Sequence, residues 1–121
     1  SSVLRQVGGS SVSVFTDVHR FNSETGLNEV ELTDEQAFSI INEEVFELLA
    51  AQGDRVLQAD AFIDIVFATL SCAQRLGFPM ADLWEEVMVS NMSKVGAGFV
   101  NGKLQKGENF VEPDFAGVLG V

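Results

Sequence analysis

Two sets of acidic side chains stand at helical spacing in this chain. "NEEVFELLAA" (42–51) carries Glu43, Glu44 and Glu47, and "ADAFIDIVFATL" (59–70) carries Asp60 and Asp64. At about 100° per residue, Glu47 lies about 40° from Glu43 and about 60° from Glu44, so the three acids fan over one helical sector. Like charges so placed repel, and on most helices such acids form a solvated face. Here Ile40, Ile41, Leu48 and Leu49 flank the sector, leaving little of the helix to face water. Asp64 sits between Phe62-Ile63 and Ile65-Val66-Phe67. An unpaired carboxylate among large apolar side chains is costly and requires a partner, a proton or a metal. Carboxylates from two facing helices suit a hard cation, Mg²⁺ first and Mn²⁺ as the alternative. Asp64 is most simply a metal ligand.

Helices must position these groups. A first helix is predicted through "SVSVFTDVHRF" (11–21), with Val14, Phe15, Val18 and Phe21 as its apolar stripe. Thr33, followed by Asp34, Glu35 and Gln36, forms a capping-box signal for a second helix from Asp34 to Ala51. Gly53 ends it, and Asp54 caps a third helix running to Leu76, stopped by Gly77 and Pro79. The tight turn at Gly53 makes helices two and three antiparallel neighbours, which brings Glu47 and Asp60 to similar height. A fourth helix follows in "MADLWEEVMVSNMSK", with Leu83, Trp84, Val87 and Met88 as its core stripe. Trp84 is expected in the core or at a subunit interface. Beyond Gly96, Asn101-Gly102 between Phe99-Val100 and Lys103-Leu104 signals a type I′ hairpin. The expected fold is all-α: an antiparallel four-helix bundle with a looped, hairpin-bearing C-terminal tail.

Composition narrows the classes. With 121 residues and 46% hydrophobic content, a single domain over 1–121 is expected, residues 1–10 being flexible in character. Eighteen acidic against seven basic residues give a net charge of −11. No Lys/Arg cluster exists to displace counterions from nucleic-acid phosphates, so no nucleic-acid partner is expected. A single cysteine, Cys72, at an apparent core position, excludes an internal disulfide and fits a reducing compartment. No uninterrupted apolar run reaches the length of a membrane span and no signal-peptide pattern opens the chain, so no membrane partner and a cytoplasmic location are expected. In the third helix, Phe62, Ile63, Ile65, Val66 and Phe67 point in nearly every direction, which predicts a homo-oligomer.

The sequence resembles the MazG-like all-α nucleoside triphosphate pyrophosphohydrolases, among them the short dimeric-dUTPase-like and phage-type members, over residues 17–120. The resemblance rests on the EExxE motif Glu43-Glu44-Val45-Phe46-Glu47, a second acidic motif on the next helix, and the tail "SNMSKVGAGFVNGKLQKGENFVEPDF". The usual second motif, ExxD, would place a glutamate at position 61; this chain has Ala61, with Asp60 one residue earlier.

The resemblance implies metal-dependent hydrolysis of a (deoxy)nucleoside triphosphate to monophosphate and pyrophosphate, by attack of water on the α-phosphorus. It implies Glu44, Glu47 and Asp64 as metal ligands, with Asp60 a fourth. Glu43 would be the general base or a carboxylate orienting the water. Asn91 and Lys94 would contact the triphosphate, Lys94 in a catalytic capacity, with Lys103 and Lys106 closing over the phosphates. His19, Phe21 and Asn22 would contribute base recognition. The assembly implied is a tetramer, or a dimer. The role implied is nucleotide-pool control on dUTP or a purine such as dGTP, in the host cytoplasm for a phage-encoded member. Two alternatives stand beside this: a non-catalytic helical assembly protein, and an enzyme of the same fold acting on phosphoribosyl-ATP.

Overall fold

The computed structural model describes residues 13–121; the expectations for residues 1–10 and for the first helix before Ser13 lie outside them. The described chain is mostly helical and divides into two compact units, one ending at Phe78 and the other spanning Pro79–Val121.

In the first unit, α1 (Val14–Glu24) opens with a capping box. Ser13 Oγ accepts from the Thr16 amide, and the Ser13 amide donates to Thr16 Oγ1. A 3₁₀ turn at Leu27–Glu29 leads to α2 (Asp34–Ala50). Its cap is the predicted one: Thr33 Oγ1 accepts from the Gln36 amide at 3.1 Å, and the Thr33 amide donates to Gln36 Oε1 at 2.8 Å. The chain reverses through Gly53, whose φ of 87° lies in the left-handed region that glycine enters at least cost. Asp54 Oδ1 then receives the Val56 and Leu57 amides and starts α3 (Arg55–Arg75).

α3 packs against both α2 and α1. The α1 contact is held by a buried amide–hydroxyl pair, Asn22 with Ser71, by Gln74 Nε2 donating to Phe15 O at 2.9 Å, and by Phe21 edge-on to Phe67. The buried face of α1 is therefore Val18 and Asn22, with Val14 and Phe21 exposed, and its core stripe is partly polar. Cys72 is buried, and burial pushes its thiol above the ordinary range, as suits a packing residue. α3 also corrects the expectation about membrane spans. It is long and apolar enough overall to cross one, because Asp60 and Asp64 interrupt the apolar run without outweighing it. A core helix passes the same test of length and composition.

The second unit starts with α4 (Met80–Met92), two residues shorter than predicted because the chain leaves the helix in turns from Ser93. Leu83 and Val87 are half-buried and Trp84 is exposed. The predicted hairpin is present: β1 (Phe99–Val100) pairs antiparallel with β2 (Lys103–Leu104), Phe99 opposite Leu104. Asn101 and Gly102 both have positive φ, 53° and 75°, as a type I′ turn requires. The tail then returns along α4, with the Val111 amide on Ser93 Oγ at 2.9 Å and the Asp114 amide on Glu86 Oε1 at 2.8 Å. Asp114 caps a short α5 (Phe115–Leu119) that the sequence pattern did not signal.

Candidate functional site

Glu44 and Glu47, on α2, and Asp64, on α3, each offer an oxygen within 4.8 Å of the others. Octahedral Mg²⁺ holds oxygens at about 2.0–2.1 Å, so opposite ligands stand about 4.2 Å apart. Small side-chain rotations would let the three share one ion. Glu44 and Asp64 are half-buried and Glu47 is exposed, so the group is held by the protein on one side and open to water on the other. Glu44 Oε2 is buried with no hydrogen-bond donor.

The Glu44 carboxyl is pushed above its ordinary value of 4.5, first by burial, then by a hydrogen bond with Glu47 and by the charges of Glu47, Asp64 and Glu43. That hydrogen bond exists only while one of the two carboxyls carries a proton. With both ionised the contact is repulsive and Oε2 has no partner. Among the described residues the ion pairs are Arg20–Glu24 at 2.6 Å and Lys106–Glu112 at 3.9 Å, and neither involves this trio. An all-carboxylate donor set without a basic partner is the chemistry of a hard divalent cation site, and the residues fit one.

The structure brings three carboxylates together, not five. Asp60 is exposed and stands outside the trio. One helical position rotates its side chain about 100° from where residue 61 points. The expected substitution of Asp60 for the family's glutamate therefore does not produce a fourth converging oxygen. Ala61 itself is buried at 1% exposure, and a pocket of about 290 Å³ opens beside it, lined also by Glu47, Ala50, Ala51, Leu57 and Asp60. Glu43 is exposed, close enough to act on Glu44 but outside the trio.

The three α1 residues part company. His19 is exposed, and Phe21 meets Phe67 with ring centroids 4.9 Å apart at 84°. Asn22 is fully buried; its Nδ2 donates to Ser71 O at 3.2 Å, and its Oδ1 accepts from Ser71 Oγ at 2.7 Å. The expectation that Asn22 contacts a base is corrected. With its amide engaged on both sides and closed to solvent, it holds α1 to α3.

In the second unit Lys94 Nζ donates to Asn91 Oδ1 at 3.1 Å, so the two residues expected to contact the triphosphate stand together. Lys94 and Lys106 also lie over the same ring, Phe110, at 5.8 and 4.8 Å from its centroid. Lys103 is exposed on β2, and no such contact joins it to the pair. Phe110 is the residue that sequence reasoning missed. Its spacing from both lysines says nothing until the tail folds back.

No curated protein and no solved structure matches the chain. A family match does exist, and it spans 19–91, which includes all three converging carboxylates and Asn91. With most of its length matched, the chain belongs to the phosphoribosyl-ATP pyrophosphohydrolase family, hydrolases of nucleotide pyrophosphate bonds within the MazG-like all-α superfamily.

Proposed function

We propose that this protein hydrolyses a nucleoside triphosphate between its α- and β-phosphates, releasing the monophosphate and pyrophosphate, with Mg²⁺ as cofactor. The observation that carries the reading is the convergence of Glu44, Glu47 and Asp64 inside the matched region, with a buried Glu44 oxygen lacking a donor. Glu44, Glu47 and Asp64 would hold the ion. When bound, it would supply charge neutralisation on the phosphate oxygens and a lowered pKa for water. Glu43, exposed beside the trio, would accept a proton from the attacking water. Lys94 and Lys106 would take the negative charge of the polyphosphate.

Two substrate classes fit this bond. The deoxynucleoside triphosphate reading, dUTP or a purine such as dGTP, rests on the tail after residue 91, where the family match has ended. The phosphoribosyl-ATP reading is favoured by the family itself. Both place the chemistry at the same phosphoanhydride. A homo-oligomer belongs to the proposal, since Phe38 on α2 and Phe62 and Ile63 on α3 are 70%, 59% and 63% exposed.

The test is a panel of ribo- and deoxynucleoside triphosphates, dUTP and phosphoribosyl-ATP, incubated with Mg²⁺ and protein free of contaminating pyrophosphatase. The expected products are monophosphate and pyrophosphate in equal amounts, with no diphosphate on the way. Orthophosphate as the stoichiometric product would overturn attack at the α-phosphorus. No turnover on any substrate, with a melting temperature indifferent to Mg²⁺, would select the non-catalytic assembly instead.

A further inference from the structure

Lysine is unevenly placed in this chain. Lys94, Lys103 and Lys106 are its only lysines, in a protein of net charge −11. Ammonium groups on long flexible stems repel and in water would stay apart. Two of these three lie over one aromatic ring. Lys94 Nζ and Lys106 Nζ lie 5.8 and 4.8 Å from the centroid of one ring, Phe110.

Backbone contacts account for where the ring stands. On one side of it, the Val111 amide donates to Ser93 Oγ at 2.9 Å, and that hydroxyl donates onward to Ser90 O at 2.5 Å. On the other, Gly107, at φ 72°, passes so close to Ala97 that a Cβ there would lie 2.8 Å from the Ala97 Cβ. The tail thus bonds to the C-cap of α4 on one side of Phe110 and passes close to Ala97, in the turns beyond that helix, on the other; the ring itself is half-buried. Lys94 is steadied further by Asn91 at 3.1 Å. Lys106 has only Glu112 nearby, 3.9 Å away, and both of those side chains are well exposed, so the pair is weak and screened.

A ring gathers cations differently from a carboxylate. Its negative face attracts ammonium groups but carries no net charge, so both lysines keep their full charge and free N–H donors. An acid in its place would draw them more strongly and cancel one of them.

We propose that Phe110 is a positioning residue: its ring gathers Lys94 and Lys106 into a pre-ordered pair of donors for the oxygens of a pyrophosphate group. Pre-ordering two entropy-rich side chains lowers what binding must otherwise expend in immobilising them. The inference rests on the pyrophosphohydrolase reading but makes its own claim, that the second unit binds pyrophosphate without metal.

The experiment is titration of inorganic pyrophosphate into the full chain in EDTA at low salt, by calorimetry or ³¹P NMR, with circular dichroism checking the fold of each variant. The wild type should bind. Phe110→Leu keeps the apolar bulk and loses the ring, and should bind roughly three- to thirtyfold more weakly. Phe110→Trp should retain binding. With Lys94→Gln and Lys106→Gln already present, Phe110→Leu should cost nothing further, since its effect acts through them.

Equal binding by Phe110→Leu and wild type overturns the proposal, as does an equal loss in the Leu and Trp variants, which marks a merely structural ring. No binding by the wild type overturns it too. Turnover is separate: pyrophosphate binding without hydrolysis of any nucleotide removes the enzymatic reading and leaves the lysine pair standing. Full turnover with an unchanged KM in Phe110→Leu does the reverse.

Discussion

The two charged clusters are built in opposite ways. In the first unit, Glu44, Glu47 and Asp64 are brought together by two long helices joined at a tight turn, and among the described residues no ion pair neutralises them. In the second, Lys94 and Lys106 are brought together by an irregular tail, and an uncharged ring holds them. The acids are fixed by regular backbone and strained by one another. The lysines rest beside an uncharged ring and keep their charge. On the function proposed above, the acids would take a small metal ion and the lysines the oxygens of a polyphosphate.

The sharpest way to break this contrast is Asp64→Asn, which removes one charge with little change in volume. Turnover should fall on the order of 100-fold or more, since even residues supporting metal ligands are worth up to that. Wild-type protein in Mg²⁺ at a hundred times its Kd should gain about 2.7 kcal/mol, and the variant much less. In EDTA the variant should melt at or above the wild-type temperature, because repulsion has been relieved. Melting curves with EDTA and with millimolar Mg²⁺ check both points; a lower metal-free melting temperature would make Asp64 a structural aspartate.

Asn22→Ala supplies the contrast within the same unit. It leaves the Ser71 hydroxyl buried without its acceptor, so stability should drop by about 1–3 kcal/mol in urea denaturation, while KM stays unchanged. A large KM effect with little destabilisation would return Asn22 to the substrate.

For the lysines, Lys106→Gln should raise KM several-fold, more at low salt than at high, with kcat less affected. Lys103→Gln, outside the Phe110 pair, should change it little. Steady-state kinetics at two ionic strengths separate them, and equal effects would dissolve the pair.

The smallest effect concerns pH. Glu44 holds its proton more tightly in the folded state than in the unfolded chain. Between the ordinary value and the raised one, the folded state therefore binds more protons, and stability falls as pH rises. The contribution is fully present below the ordinary carboxylate range and is lost as pH climbs through the raised value. In EDTA, urea midpoints should decline across that window, and Glu44→Gln should flatten the decline.

Much of this was legible in the residues. Thr33 with Gln36, Asp54, Gly53 and Asn101-Gly102 are local signals, satisfied by neighbours a few positions away, and each element they mark is present. The facing of the two acidic sets was legible too, since one tight turn makes α2 and α3 antiparallel neighbours; by height that turn pairs Glu47 with Asp60, and the trio with Asp64 comes from the family resemblance. Asp60 was misjudged: i,i+4 and i,i+3 share a broad face, but convergence on one point distinguishes directions about 100° apart. The resemblance assigns Asn22 to base recognition, and nothing in the sequence signals that Ser71, far along the chain, closes over it.

The sequence by itself thus determined the four longer helices, the caps of α2 and α3, the hairpin and the excess of acid on α2 and α3, all set by short-range sterics and hydrogen bonding. Tertiary structure decided which carboxylates meet, that Asn22 is sealed inside, and that Phe110 lies under two lysines. These depend on contacts between residues distant in the chain, and on side-chain directions that spacing leaves open. A period of 3.6 residues assigns a face; only packing assigns a partner.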